Sequence, residues 1–303
     1  MNSRDAIIFN KKGVISKRLV MVITSVLVLL TFVYFGLQLY LISIAKKNVN
    51  QFISYAKPYM DIKYKNVRVE LFKTMTYIDS VEVNFPGSNE HLQIQNIALH
   101  SFDYANKPPH YMNIAFNGID LNKTGSILNN KEVKKLGYSN VKGQLAMNYK
   151  YMKETQDLSL EQFNIKIHEM GSININFLLS NFNIEQNNYL TALLSLMATS
   201  INRANISYTD DSLMQRLMVA AANEKGTDVD NLKKEIISEL NNVVKDKDAE
   251  FERKIVTPVR NFIEKPNRIA ITIKPAKPVQ IKDINNINNP DELIKMLNLT
   301  VEN

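Results

Sequence analysis

The chain has 303 residues, a formal net charge of +7 and no cysteine. The lack of cysteine excludes disulfides, thiolate metal sites and a cysteine nucleophile. Residues 1–18 hold five basic residues against one acidic residue, so more than half of the net charge lies in this short tail. The rest of the chain is too weakly basic to predict a nucleic-acid-binding face, and we expect no nucleic-acid partner.

An uncharged apolar run of 27 residues extends from Leu19 to Ala45. A helix needs about 20 such residues to cross the hydrocarbon core of a bilayer. A cleavable signal peptide is the alternative, but its apolar region is usually only about 7–15 residues long. Lys17 and Arg18 precede the run and place the N-terminus in the cytoplasm. We therefore predict a cytoplasmic tail at residues 1–18, a retained single-pass anchor at 19–45 in a bacterial inner membrane, and a periplasmic body.

The body begins with a short amphipathic stretch, after which the spacing of its apolar residues changes. Residues 46–60 carry apolar side chains at helical spacing and predict a stalk. Over residues 61–187 the period becomes two, as in Val67–Leu71 and Ile173–Leu179, where apolar and polar residues alternate. Such alternation is typical of antiparallel strands with one buried face and one solvated face. We predict a β-rich domain here.

Residues 188–303 predict a helical segment with closing strands of the same body. The segment Tyr189–Ala198 is apolar nearly all round, and we expect it to be buried or to cover an apolar surface. Pro258 falls inside a later helical pattern and predicts a kink. The remaining elements are predicted in this order: helices after Ser212, after Thr227 and over 251–262, strands over 269–273 and 279–281, and a last helix from Pro290.

The fold class is therefore α+β: an N-terminal transmembrane helix, then a large antiparallel one-sided β-sheet with a helical insert and C-terminal strands. A continuous apolar sheet face must be covered. We expect the helices predicted between residues 188 and 264 to pack on it. The alternative is that part of the face forms a groove for an apolar ligand.

The motifs that carry chemistry in other proteins are incomplete here. Lys123-Thr124-Gly125 matches the triplet of penicillin-recognising enzymes, but the body lacks the Ser-x-x-Lys and Ser-x-Asn elements that those enzymes also need. Asp210 and Asp211 precede a predicted helix and are interpreted as capping residues. The histidines stand alone, without metal-ligand spacing: His91, His100, His110 and His168. We predict no catalytic, cofactor-binding or metal-binding residues and no enzyme activity.

The order of an anchor and then one-sided strands resembles the AsmA-like group of bacterial membrane-anchored envelope proteins. The strand-rich stretches Val67–Phe85 and Ser172–Phe182 carry the resemblance. The segments Ile271–Pro275, Lys277–Val279 and Pro290–Leu293 also resemble the close of anchored domains in proteobacterial proteins. The resemblance implies a role in lipid handling or envelope integrity.

The leading hypothesis is a non-enzymatic, membrane-anchored envelope protein that binds a lipid or a protein partner through its sheet. Its expected partners are membrane lipids and envelope proteins. One alternative is a structural subunit of a secretion or pilus complex. Another is an unrecognised membrane-anchored hydrolase, which would require a polar cleft with converging carboxylates and a histidine.

Overall fold

The computed structural model describes residues 17–87, 91–122, 131–185, 189–243, 249–287 and 289–303. It confirms the predicted α+β class, because a long N-terminal helix is followed by one large antiparallel sheet with several helices.

The first helix, α1, extends without a break over Lys17–Ala56. At a rise of about 1.5 Å per residue its 40 residues measure roughly 60 Å, twice the thickness of a hydrocarbon core. The segment Thr24–Ser54 is long and apolar enough to cross a membrane. The residues predicted as a stalk continue this same helix as far as Ala56, just before Pro58.

Twelve strands and eight further helices follow among the described residues. The strands are β1 Asp61–Lys63, β2 Asn66–Glu70, β3 Met75–Asn84, β4 His91–Phe102, β5 Tyr111–Asp120, β6 Lys142–Met152, β7 Asp157–Ile167, β8 Gly171–Ser180, β9 Ser200–Asp210, β10 Arg268–Ile273, β11 Val279–Gln280 and β12 Thr300–Glu302. The helices are α2 Lys131–Lys135, α3 Tyr189–Ala198, α4 Leu213–Lys225, α5 Val229–Val243, α6 Ala249–Phe251, α7 Thr257–Glu264, α8 Ile281–Ile284 and α9 Pro290–Leu297.

All twelve strands form a single antiparallel sheet in the order β1-β3-β4-β5-β6-β7-β8-β9-β10-β12. Strand β2 pairs with β3, and β11 pairs with β9, beside this path. From β3 to β9 each strand pairs with its successor in sequence, so the chain forms a meander. A helical segment separates β9 from β10 in the sequence, but the two strands are hydrogen-bonded neighbours in the sheet.

The strand register gives the two faces of the sheet different compositions. One row of directly opposed residues crosses eight strands with apolar or aromatic side chains: Ile78, Ile97, Phe116, Leu145, Ile165, Ile173, Tyr208 and Ile269. From β4 to β10, a neighbouring row on the opposite face contains only small or polar residues: Ala98, Ala115, Ala146, Asn164, Asn174, Ser207 and Ala270. On that second face, asparagine side chains bond across strands, as in Asn164 with Asn174 at 2.7 Å. The predicted one-sided sheet is confirmed.

Irregularities in pairing bend this sheet. All five consecutive strand pairs from β4–β5 to β8–β9 contain a register shift. A bulge bends its strand and increases the local twist. In β5 the shift between Phe116 and Ile119 includes Gly118, whose φ of 63° is a left-handed conformation that glycine adopts readily. Repeated bulges therefore curve the sheet.

The helices between β9 and β10 form a small bundle of their own. Its core contains Met218, Ala222, Leu232 and Ile263, contributed by α4, α5 and α7. The bundle meets the sheet where Phe262 packs edge-on against Tyr208, with ring centroids 6.1 Å apart.

The expectation that these helices pack over the apolar face is wrong for the middle of β8, β9 and β10. Ile206 and Ile271, which are opposed on the apolar face, are 44% and 40% exposed. Ser207 and Ala270, one residue along each strand, are buried instead. The bundle stays off this part of the apolar face because its own amphipathic helices bury their apolar sides against one another.

Two local predictions also need correction. Helix α3 was expected to be buried or to cover an apolar surface, but Leu193, Leu194 and Leu196 are exposed. The predicted kink at Pro258 is instead a turn of π-helix over Glu252–Val256, with Pro258 in the first turn of α7. Proline has no N–H to donate, so the irregularity falls before it rather than at it.

Gly171, the first residue of β8, provides a test of the packing between β8 and β9. A Cβ atom there would overlap the carbonyl oxygen of Thr209 and lie 2.9 Å from the ring of Tyr208. We expect Gly171→Ala to lower the free energy of unfolding by about 1–3 kcal/mol, because backbone and a packed ring cannot move aside. Urea denaturation of the full chain in detergent measures this change.

Gly143→Ala is the matched control, since its Cβ would meet nothing closer than 3.6 Å. We expect that variant to match the parent protein or exceed it slightly in stability. Equal destabilisation by the two substitutions would contradict the close approach at Gly171.

Candidate functional site

An open groove of about 640 Å³ lies on the apolar face of the sheet. Its floor is formed by β1 and by β3 to β6, and its wall by residues 48–53 near the end of α1. No charged side chain occurs among the described residues that line it. The floor includes Val81, Ile94, Ile97, Leu99, Ile114, Phe116, Leu145 and Met147.

The deep end of the groove is a packed core. Val81, Val83 and Ile94 are buried there, and Ile62 and Tyr64 pack against them. On α1, Val49 is 6% exposed whereas Phe52 is 52% exposed. The helix therefore closes one end of the groove with Val49 and leaves Phe52 partly open to solvent.

Two of the three tyrosines that line the groove have their hydroxyls bonded within the protein. The Tyr64 hydroxyl donates to Oδ1 of Asn50 at 2.7 Å, and the Tyr149 hydroxyl donates to the carbonyl oxygen of Pro109 at 2.8 Å. Burial raises the pKa of Tyr149, so this phenol is neutral at physiological pH. Because these two hydroxyls are bonded within the protein, they offer a ligand little further hydrogen bonding.

A second cavity of about 350 Å³ adjoins the first. The two share Pro109, Met147 and Tyr149. The second cavity extends over β7 and β8 through Leu158, Leu160, Phe163 and Phe177. The apolar surface is thus continuous from α1 to β8, with Met147 near its centre.

The loop between β4 and β5 forms one rim of the groove and is held by a buried carboxylate. Asp103 is 3% exposed and accepts hydrogen bonds from the backbone N–H groups of Ala105, Asn106 and His110 and from the Asn106 side chain. The bonds from the His110 backbone and the Asn106 side chain lower the pKa of Asp103 to about 2. The loop then presents Tyr104 and Pro109 to the groove.

A polar contact holds the end of the same loop. Nε2 of His110 lies 3.1 Å from Oε1 of Glu185, and Nζ of Lys153 lies 2.9 Å from the other oxygen of that carboxylate. The Lys153 ammonium lowers the pKa of Glu185. The His110 ring also packs edge-on against Tyr151 at 5.3 Å. These contacts fix the rim and involve groups outside the groove lining.

The candidate residues for catalysis and metal binding do not lie together in the structure. The four histidines are separated: His91 and His100 lie in β4, His110 follows the loop after β4, and His168 lies in the β7–β8 turn. Within the described ranges no three His, Asp or Glu side chains are grouped as metal ligands. Oδ1 of Asp210 accepts from the backbone N–H of Met214 at 2.9 Å, which confirms Asp210 as a capping residue. The triplet Lys123-Thr124-Gly125 lies outside the described residues.

Sequence reasoning anticipated the floor of the groove but missed two of its boundaries. The helical spacing of Val49, Phe52 and Ile53 was visible, yet nothing in it indicated that the sheet would be their partner. The second boundary is the β4–β5 loop. Aromatic and proline residues at this loop were visible in the sequence but did not indicate that it would border a groove: Phe102, Tyr104, Pro108 and Pro109.

Comparison with known families shows a match to part of the chain. A family model described as "Uncharacterized protein" matches residues 139–303, which is more than half of the chain. The matched region begins just before β6 and includes the rest of the sheet and the helical bundle. No curated protein matches the chain.

The role of Asp103 can be tested by substitution. Asp103→Ala leaves buried N–H donors without an acceptor, so we expect the free energy of unfolding at neutral pH to fall by about 1–3 kcal/mol. Because the folded-state pKa of Asp103 lies below its ordinary value of 3.8, the stabilisation is present above pH 3.8 and is lost as the pH falls toward 2. The difference between parent and variant, measured by thermal unfolding, should therefore shrink across this acidic window.

Asp61→Ala is the control, because the Asp61 side chain is 54% exposed and its ion-pair partner, 3.8 Å away, is the still more exposed Lys63. We expect little change from it. A similar loss in both variants, or a difference at Asp103 that persists unchanged at pH 2, would refute the loop-holding role.

Proposed function

We propose that this chain, which belongs to the uncharacterized protein family whose model matches residues 139–303, is a non-enzymatic membrane-anchored protein that binds lipid acyl chains in its apolar groove. The observation that carries the proposal is the groove itself. It has a volume of about 640 Å³, no charged lining among the described residues, and a membrane-type helix as its wall.

The size and chemistry of the groove suit a hydrocarbon chain. Sites for small ligands usually measure about 300–1,000 Å³. Each methylene transferred from water contributes about 0.8 kcal/mol, so ten buried methylenes contribute roughly 8 kcal/mol before the costs of association. The groove has no arrangement of donors that would favour a sugar or a nucleotide among its described lining residues. An acyl chain needs no such donors.

The position of the groove next to α1 supports the adjacent membrane as the source of its lipid. Helix α1 supplies the groove wall through residues 48–53, and the same helix contains the apolar run Leu19–Ala45. The groove is therefore covalently continuous with the anchor. With the basic tail at residues 1–18 on the cytoplasmic side, we propose that the body faces the periplasm of a bacterial envelope. The resemblance to AsmA-like proteins stays a prediction and implies the same kind of role.

The hydrolase alternative has less support in the described residues. His110 and Glu185 do form a pair, but Lys153 binds the same carboxylate at the rim. The pair does not line the groove, and no second carboxylate is grouped with it in the described part of the chain. The exposed Ile206 and Ile271 give the protein-partner alternative a specific surface, which the experiment below distinguishes.

The proposal predicts lipid contact at the groove floor. The full chain, in membranes containing a phospholipid with a photoreactive diazirine in one acyl chain, is irradiated and digested. Cross-linked peptides are then mapped by mass spectrometry. We expect cross-links in β4 to β6 as well as in α1. Cross-links confined to α1 would overturn the proposal.

A matched pair of variants separates groove lipid from lipid around the anchor. Met147→Glu places a carboxylate at the centre of the apolar surface, and we expect cross-linking in β4 to β6 to fall roughly tenfold, equivalent to about 1.4 kcal/mol. Gln144→Glu adds the same group on the opposite face of β6, where Gln144 is exposed, and should leave cross-linking unchanged. Recovery of the parent chain free of groove lipid but with a stoichiometric protein partner would favour the structural-subunit alternative.

A further inference from the structure

The turn between β2 and β3 reaches back along the membrane helix. This turn is a single 3₁₀ turn over Leu71–Lys73, and Phe72 at its tip is 91% exposed. The Phe72 ring nevertheless lies parallel to that of Tyr34 in α1, with centroids 5.9 Å apart and planes 19° apart. Tyr34 belongs to the uncharged apolar run of α1.

A second contact fixes the direction of this segment relative to α1. The hydroxyl of Tyr64, just before β2, bonds to Asn50. From Asn50 back to Tyr34 the helix covers about 24 Å, and from Tyr64 to Phe72 an extended chain covers about 26 Å. The two lengths agree, so β2 lies antiparallel to α1 and returns toward the membrane.

The depth of Phe72 follows from its partner on the helix. If the hydrocarbon core begins at Leu19, Tyr34 lies about 22 Å above that boundary, within a core of about 30 Å. If instead the core ends at Ala45, Tyr34 lies about 16 Å below the outer boundary. Both placements leave Tyr34, and therefore Phe72 beside it, within the bilayer, between about its midplane and its outer boundary.

The charged groups near the turn are paired. Lys73 lies 2.9 Å from Glu70, and Arg68 makes a bidentate contact with Asp79 across β2 and β3. Pairing reduces the cost of bringing charge close to lipid. An exposed aromatic ring flanked by such groups is typical of a membrane interface.

From these contacts we infer that the β2–β3 turn inserts Phe72 into the outer leaflet beside α1, giving the body a second attachment to the lipid bilayer. This attachment fixes the tilt and rotation of α1 and the body in the bilayer, since a single spanning helix can tilt and turn about its own axis. The inference goes beyond lipid binding in the groove and rests only on α1 spanning the membrane.

The chain has no tryptophan, so a single introduced tryptophan reports on its own site. Phe72→Trp keeps an aromatic ring at an exposed position. Phe32→Trp, at a 73% exposed position within the apolar run, is the reference for a buried-in-lipid probe. Tyr59→Trp, 76% exposed just beyond the end of α1, is the matched control outside the apolar run.

Each full-length variant is reconstituted in nanodiscs of phosphatidylcholine and phosphatidylglycerol with or without lipids brominated on the acyl chains. We expect bromolipid to quench Phe72→Trp nearly as strongly as Phe32→Trp and to leave Tyr59→Trp unquenched. Quenching of Phe72→Trp no greater than that of Tyr59→Trp would overturn the inference. If Phe32→Trp is also unquenched, the membrane span itself fails.

These outcomes are separate from those of the groove experiment. Unquenched Phe72→Trp with intact cross-linking in β4 to β6 would reject the second attachment and leave the lipid-binding proposal standing. Quenching of Phe72→Trp without cross-linking in the groove would support the second attachment and reject the lipid-binding proposal. Circular dichroism of the three variants confirms equal folding.

Discussion

The apolar face of the sheet is the constraint on which the rest of the structure depends. Rows of opposed Ile, Leu, Phe and Met side chains cross most of the strands, while the other face carries alanine and asparagine. Such a face is stable only if something removes it from water. The end of α1 does so at one side of the sheet, and the helical bundle contacts it at Tyr208. Between these contacts the face stays open, and the open part has the dimensions of a ligand site.

Helix α1 has three structural roles in one uninterrupted element. Its N-terminal part has the composition of a membrane span, its middle stacks Tyr34 on Phe72, and its last turns close the groove with Val49. Because a helix is stiff over this length, the groove keeps a fixed position relative to the apolar segment of α1, without a flexible linker between them. The family match begins at residue 139 and therefore leaves this anchor and the first five strands outside the shared region.

Much of the fold could be predicted because its signals are local. Alternation in Val67–Leu71 and Ile173–Leu179 indicates strands, and Gly226 ends α4 in the left-handed conformation typical of a glycine after a helix. Curvature could not be predicted, since a register shift such as that at Phe116–Ile119 adds one residue without changing the composition of the strand. The failure to place the helical bundle has a related cause. An amphipathic helix shows that it has an apolar side but does not indicate which apolar surface will cover it.

The sheet ends in very short strands on both sides, and this limits what the protein can assemble into. Strands β1 and β12 have three residues each, and β11 has two. A short edge offers few unpaired backbone groups, so another chain gains little by adding a strand to it. Copies of this protein therefore have little means of joining sheet to sheet into a longer conduit.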